Sequence, residues 1–235
     1  PGDADIEELS GTYPSSYYVL PDHTFLVSFS KPFRSAEEDD NRKTLYYKLD
    51  HEGSLVSEQI ISVQAPQFVT YESGNSVSFW YTEFSGSPLV ALSPGGKIYT
   101  AWSQDFLIRV HNPEGEQTAA RYYPFDKVPL LRDDALKLYD NDLYRKAVSR
   151  IEIPPHWPAM KGIHTDDQNR LWVSTFVEDK ESYQWWVLGG DGEPLATFTW
   201  PRTRSIADIK NGYLYARETD EMGLAQVVRY RVEGL

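Results

Sequence analysis

Residues 89–102 read Leu-Val-Ala-Leu-Ser-Pro-Gly-Gly-Lys-Ile-Tyr-Thr-Ala-Trp, and the fold is decided there. An apolar run of four meets Ser93-Pro94-Gly95-Gly96, residues that preset φ or tolerate the left-handed region, and a second apolar and aromatic run opens at Ile98. Two short β-prone runs across such a turn make a hairpin. The plan recurs along the chain. Residues 17–20 lead through Pro21-Asp22-His23-Thr24 to 25–29, and 162–165 lead through Asp166-Asp167-Gln168-Asn169 to 171–175. Residues 206–209 lead through Lys210-Asn211-Gly212 to 214–217. Self-similarity of this kind marks a repeat architecture.

Working outward, a second hairpin follows in the first three units, around Asp50-His51-Glu52-Gly53, Asn112-Pro113-Glu114-Gly115 and Gly189-Gly190-Asp191-Gly192. The closing glycine supplies a positive φ. The strands before these turns (44–49, 106–111 and 183–188) are β-branched and aromatic, and outer strands are expected at 55–61, 117–123 and 195–200. Four antiparallel strands per unit make a propeller blade. The expected fold is therefore all-β, a β-propeller within a single domain over 1–235, with blade-like repeats at about 14–61, 87–124, 162–201 and 205–233 and insertions at 62–86 and 125–161. The last unit stops at its third strand, residues 226–232, and leaves an edge to be covered by an early segment such as 5–9 or by a companion chain.

Composition bounds the function. Of 235 residues, 40% are hydrophobic and 25% charged, enough for a buried core, and the 14% of aromatics suits half-buried sheet surfaces. A formal net charge of −12 argues against nucleic acid or an anionic membrane as partner. With no cysteine there is no disulfide framework, thiolate nucleophile or cysteine zinc site. No run approaches the roughly 20 apolar residues that span a bilayer, and Pro1-Gly2-Asp3-Ala4-Asp5 is no leader, so the chain is expected to be cytosolic or to carry its leader upstream.

The segments 91–103 and 166–174 resemble the inner hairpins of six-bladed β-propellers of the NHL and TolB-like kind, including bacterial six-bladed propeller proteins of unassigned function. The similarity is strongest over 89–232. It implies about six blades, so that the four repeats form the C-terminal part of a larger ring whose early blades are missing, with a closed four-bladed ring as the alternative. It also implies bacterial export to the periplasm or beyond.

In such a blade the tight turns gather at one end, and the connections between second and third strands and between blades gather at the other. Sorted this way, the long segments 31–43, 62–87, 125–160, 177–182 and 219–225 share one face. Loops beyond about 12 residues in a compact domain are commonly functional. The insertion near 132–149 spaces Leu136, Tyr139, Leu143 and Ala147 at three- and four-residue steps, with Asp133 and Asp134 leading and Arg145 and Lys146 trailing, which predicts a helix ended by Pro154-Pro155. That helix reads first as a lid packed on the ring.

No catalytic residue is assigned: there is no G-x-S-x-G, and the five histidines lack metal-ligand spacing. Asp166-Asp167-Gln168-Asn169 reads as a hairpin rather than a calcium loop. The acidic runs 37–40 and 178–181 read as solvated loop tips, and adjacent Trp185 and Trp186 as residues packing on opposite blade faces. Candidate binding residues are those that the inner strands and insertions carry to the long-loop face: Trp80, Trp102, Asp105, Trp157, His164 and Arg217. Plainer accounts are core packing for Trp80 and Trp157, a hydrogen-bonded wall position for His164, and pairing with Glu218 or Asp220 for Arg217. The expected function is non-enzymatic: a binding or scaffolding propeller presenting that face to a protein, peptide or glycan, without cofactor. The alternative, by fold analogy, is a lactonase or gluconolactonase-like hydrolase with a divalent ion such as calcium on the axis.

Overall fold

A computed structural model describes residues 9–33, 42–74 and 76–235. The acidic run 37–40 and most of the early segment 5–9 lie outside the described residues. Four antiparallel sheets follow one another in a propeller arrangement, and helix makes up 7% of the chain. Blade 1 comprises β1 (Tyr13–Val19), β2 (Phe25–Ser30), β3 (Lys43–Leu49) and β4 (Ile61–Gln64) in that spatial order. A separate hairpin, β5 (Val69–Ser73) with β6 (Ser76–Trp80), precedes blade 2, which comprises β7 (Pro88–Leu92), β8 (Ile98–Trp102), β9 (Leu107–His111) and β10 (Gln117–Tyr122). Helices α1 (Arg132–Lys137) and α2 (Asp142–Arg150) lead to blade 3, with β11 (Met160–Thr165), β12 (Leu171–Phe176), β13 (Ser182–Leu188) and β14 (Pro194–Pro201). Blade 4 has three described strands, β15 (Ser205–Lys210), β16 (Tyr213–Thr219) and β17 (Ala225–Arg231).

Turns of both hairpins of a blade close by one device. A side-chain oxygen at the first turn position accepts main-chain N–H bonds from residues two and four ahead, and a residue with positive φ completes the turn. Asp50 accepts from Glu52 and Ser54, Asn112 from Glu114 and Glu116, and Asp166 from Gln168 and Arg170. Gly53, Gly115 and Asn169 hold the positive φ. Gly115 serves twice, because a Cβ there would lie 1.9 Å from the Ile60 carbonyl oxygen of blade 1. Neighbouring turns are also tied across blades: Gly95 N donates to Asn169 Oδ1 at 2.7 Å and Asn211 N to Asp167 Oδ2 at 2.7 Å.

The core lies between blades. Leu20, Leu26, Tyr46 and Ile98 pack blade 1 on blade 2; Tyr99, Ile108, Ile163 and Val173 pack blade 2 on blade 3; Trp172, Trp185, Ile206 and Leu214 pack blade 3 on blade 4. Trp185 and Trp186 divide as their adjacency predicts, Trp185 towards blade 4 and Trp186 edge-on to Phe106 of blade 2. Among the described residues no cluster joins blade 4 to blade 1. The arc is open on both flanks, with Tyr17 of β1 74% exposed and Val227 of β17 67% exposed.

Three expectations need correction, and the insertion at 62–86 gains detail. The outer strand of blade 1 is 61–64, not 55–61; after the turn at Asp50 the chain makes a lone bridge from Leu55 to Leu49 and rejoins the sheet late. The insertion at 62–86 holds the β5–β6 hairpin. The single helix of 132–149 is two, because the Asn141 side chain accepts from Leu143 N and Tyr144 N and starts a new helix. Its buried face is Tyr144, Ala147 and Val148, while Tyr139 and Leu143 are exposed. The segment 219–225 is not a long loop but a tight turn in which Asp220 accepts from Met222 N and Leu224 N.

Asp166 is the most heavily used of the turn residues. Its fully buried carboxylate also accepts from Arg170 Nε at 2.6 Å and from Trp172 Nε1 at 2.8 Å. It therefore satisfies an indole in the blade 3–blade 4 interface and a guanidinium as well as its own turn. Asp166→Ala is expected to cost about 3–5 kcal/mol, the size typical of orphaning one partner of a buried pair. Urea unfolding of the two proteins side by side measures this, and a loss below about 1 kcal/mol would show that the network adds little.

Candidate functional site

The β5–β6 hairpin and the two helices fold onto the long-loop face as a lid with its own core of Val69, Phe84, Leu130, Tyr144, Val148 and Trp157. Helix α2 is capped at its N-terminus by Asn141. At its other end Arg132 donates to the carbonyls of Val148 at 2.6 Å and Ile151 at 3.1 Å. Tyr144 Oη donates to Ala135 O at 2.7 Å and joins the helices, and burial pushes its phenol up. Arg150 lies 4.7 Å over the ring of Tyr71, and Lys180 pairs with Asp134 at 2.7 Å, so hairpin, helices and blade 3 are tied together.

Beside this lid, at the long-loop end of blades 3 and 4, lies a cleft of about 280 Å³. Lys161 enters from the start of β11 and pairs with Glu83 at 2.6 Å, across 78 residues of sequence. Tyr183 Oη donates to the same carboxylate at 3.3 Å, and its phenol is pushed up by burial and by the Glu83 charge. Arg202 and Arg204 come from the short connection between β14 and β15. Arg202 stacks 4.5 Å over Tyr183 and 5.3 Å over Phe176 and donates Nε to Ser182 O at 3.0 Å. Arg204 approaches Glu218 at 3.6 Å. His164 forms part of the wall, its ring 5.7 Å from Trp185; burial lowers its imidazole pKa, with the Asp208 charge opposing.

Gly162 and His164 also line a second cavity, of about 410 Å³, among the inner strands β1, β7 and β11. Its wall on blade 1 is hydroxylic, with Ser15, Ser16, Ser28, Ser30 and Thr44. Ser28 is fixed by Ser16 N at 2.8 Å and by the Ser15 hydroxyl at 2.9 Å. His164 thus stands between a polar cavity at the inner strands and a cationic cleft at the surface.

The six candidate residues fall in different places. His164 lines the cleft. Trp80 packs edge-on to Tyr144 at 5.6 Å, and Trp157, 7% exposed, stacks on Phe176 at 5.2 Å, so both indoles belong to the lid core. Trp102 lines a separate cavity of about 430 Å³ between blades 1 and 2, with Arg109 and His111. There the carbonyl of Gly115, 3.2 Å from His111 Nδ1, requires a proton on that nitrogen, which leaves Nε2 to accept from the Thr100 hydroxyl at 3.0 Å. Burial lowers the pKa of this histidine too. Asp105 is exposed and held by Lys127 at 2.8 Å. Arg217 is exposed on β16, where its main chain pairs with Ser205 and Val227. Sequence reasoning missed Glu83, Lys161, Tyr183, Arg202 and Arg204. The usable signal was the pair of arginines in Pro201-Arg202-Thr203-Arg204-Ser205, a connection assigned to the long-loop face. Among the described residues no three His, Asp or Glu side chains converge closely enough to hold a metal ion.

No protein-family model matches the chain and no curated protein matches it in sequence. Solved β-propeller structures are similar in fold. A protein of unknown function from Bacteroides caccae is 10% identical with a TM-score of 0.45, over 96% of this chain and 65% of that one. Regucalcin, a calcium-binding protein from Agrobacterium tumefaciens, is 12% identical with a TM-score of 0.44, over 97% of this chain and 64% of that one. Virginiamycin B lyase from Staphylococcus aureus is 10% identical with a TM-score of 0.35, over 94% and 84%. This chain thus spans less than two thirds of the length of the first two, and at these identities the likeness extends to fold alone.

Both half-buried histidines, His111 and His164, carry a pH signature. Their folded pKa values lie below the unfolded value of about 6.5, so the unfolded chain binds protons more readily in the interval below it. Their contribution to stability is complete above that value and is lost as the pH falls through the folded pKa. The melting temperature should therefore drop from about pH 7 to about pH 5, and His164→Gln should make that drop shallower. A slope unchanged in H164Q would show that this imidazole does not set it.

Proposed function

We propose that the chain is a non-enzymatic binding or scaffolding propeller that presents its long-loop face to a protein, peptide or glycan. The observation that carries this reading is the contrast between the two ends. The short-turn end consists of turns whose side chains are consumed by their own main chain and by neighbouring turns. The other end bears a packed lid and an open cleft with guanidinium, ammonium, imidazole and hydroxyl groups. Concave surfaces of this kind, carried by loops on a rigid scaffold, are where binding sites concentrate. The exposed β17 edge and the exposed β1 flank support a second element of the reading, that further blades or a companion chain complete the ring towards six.

A partner selected from peptide and glycan arrays can be located by hydrogen exchange. Protection is expected across the long-loop face, at 81–84, 103–106, 161–164, 200–206 and 217–219. Asp105→Ala and Arg217→Ala should weaken binding while shifting stability by less than about 0.5 kcal/mol, since both residues are exposed. Protection over Pro21, Gly95, Asp167 and Asn211 instead would place the working surface at the opposite end and overturn the proposal.

A further inference from the structure

We propose that the cleft at the long-loop end of blades 3 and 4 binds the carboxylate of a small acidic ligand, with Arg202 as its anchoring cation and Arg204 beside it. The inference deepens the binding reading above and rests on it. Its first ground is the charge count. Three cations line the cleft, Lys161, Arg202 and Arg204, within a chain whose formal net charge is −12. Lys161 is neutralised by Glu83 at 2.6 Å, and Arg204 faces Glu218 at 3.6 Å. Among the described residues no carboxylate lies within ion-pair distance of Arg202. Asp179, which feels its charge, is an exposed turn residue whose carboxylate is engaged by Glu181 N at 3.0 Å. One uncompensated positive charge suits a monoanion better than a dianionic phosphate, which Glu83 would repel more strongly than it repels a carboxylate.

The second ground is the state of the donors. Arg202 is fixed before any ligand arrives: its face lies on Tyr183 and Phe176, and its Nε is bonded to Ser182 O. Its terminal nitrogens have no acceptor among the described residues. A guanidinium held flat in this way, with its fork left over, is preorganised for bidentate recognition of a carboxylate. Neutral His164 and the Ser174 and Ser205 hydroxyls supply weaker donors and acceptors around it.

The third ground is independent of charge. Trp185 lines the cleft, is 4% exposed, and carries an indole N–H that is buried without an acceptor. A buried donor left unmet costs about 1–3 kcal/mol, and such groups cluster where function demands them. A ligand oxygen entering beside Trp185 would offer the missing acceptor. The volume of about 280 Å³ lies below the usual drug-sized range and admits one small acidic residue, either a uronic acid or the terminal residue of a peptide.

Isothermal titration calorimetry with two matched pairs tests the site and tells the sources apart: D-glucuronate against D-glucose, and trialanine against its C-terminal amide. One carboxylate probe is expected to bind at millimolar concentration and its uncharged counterpart is not. Arg202→Met, which keeps the apolar stem over Tyr183, should weaken that probe tenfold or more; Arg202→Lys, which keeps charge without the fork, should lose several-fold. Circular dichroism checks folding, and if R202M misfolds, R202K and Arg204→Met decide, each with at least a threefold loss expected. Binding of neither carboxylate, equal binding of the uncharged partners, or unchanged affinity in the folded variants would overturn the proposal. A macromolecule that footprints on the long-loop face yet binds R202K and R204M unchanged would remove the carboxylate site alone. A footprint on the opposite end would remove the broader binding reading.

Discussion

Strands β8 and β12 sit between two neighbouring blades, so alternate side chains along them must be apolar on both faces of the sheet. In β8, Ile98 enters the interface with blade 1 and Tyr99 the interface with blade 3. In β12, Leu171 and Val173 face blade 2 while Trp172 faces blade 4, and the whole strand is buried. An ordinary antiparallel sheet leaves one face to water, which relaxes half of its positions; here neither half is relaxed. Burial of apolar area between blades, at about 25 cal/mol per Å², is the dominant favourable term, and each blade obtains it only from its neighbours. The outer positions of the arc show the converse. Strands β1 and β17 have no inter-blade partner on one side and are mostly exposed.

This constraint explains what could be read from the sequence. Central strands advertise themselves as continuous apolar and aromatic runs, and their turns as Asp or Asn followed by a residue that accepts positive φ, because both requirements act on neighbours in the chain. Three or four of the strands in each repeat were therefore legible with their turns. The outer strand of blade 1 was not, since Val56 and Ile60 look as β-prone as Ile61, and only pairing with Lys43 to Tyr46 selects the later register. The split helix was missed for a related reason. Spacing of Leu136, Tyr139 and Leu143 satisfies a helical period, but the cap formed by Asn141 is a local hydrogen-bond preference that periodicity does not register. Tyr139 then serves by donating its hydroxyl to the Tyr81 carbonyl, bonding the lid hairpin from an exposed position.

The cleft was far less legible. Of its groups only His164 was singled out, because the position of an inner-strand residue follows directly from the repeat. Glu83 and Lys161, Tyr183 and Glu83, and Arg204 and Glu218 meet across insertions or between blades, at separations that no local pattern encodes. Indoles misled in the other direction. Trp80 and Trp157 lie in insertions on the long-loop face, but an insertion must bury something of its own to fold, and these two rings are among what the lid buries. Aromatic content in these insertions thus reports the lid's own core.

The two ends of the arc also differ in what a substitution can do there. At the short-turn end, polar side chains bond their own main chain and the next blade's turn, so exchanging Asp166 or Asn169 disturbs the geometry on which the blades align. At the long-loop end the amides of Arg202 and Arg204 donate to the carbonyls of Glu181 and Pro201, and Lys161 stands at an irregularity of β11 between the paired residues Met160 and Gly162. Charge at that end can change while the scaffold stays as it is. A fold whose stability is generated between blades, and whose register is set at one end, leaves the opposite end free to carry whatever recognition chemistry its loops bring there.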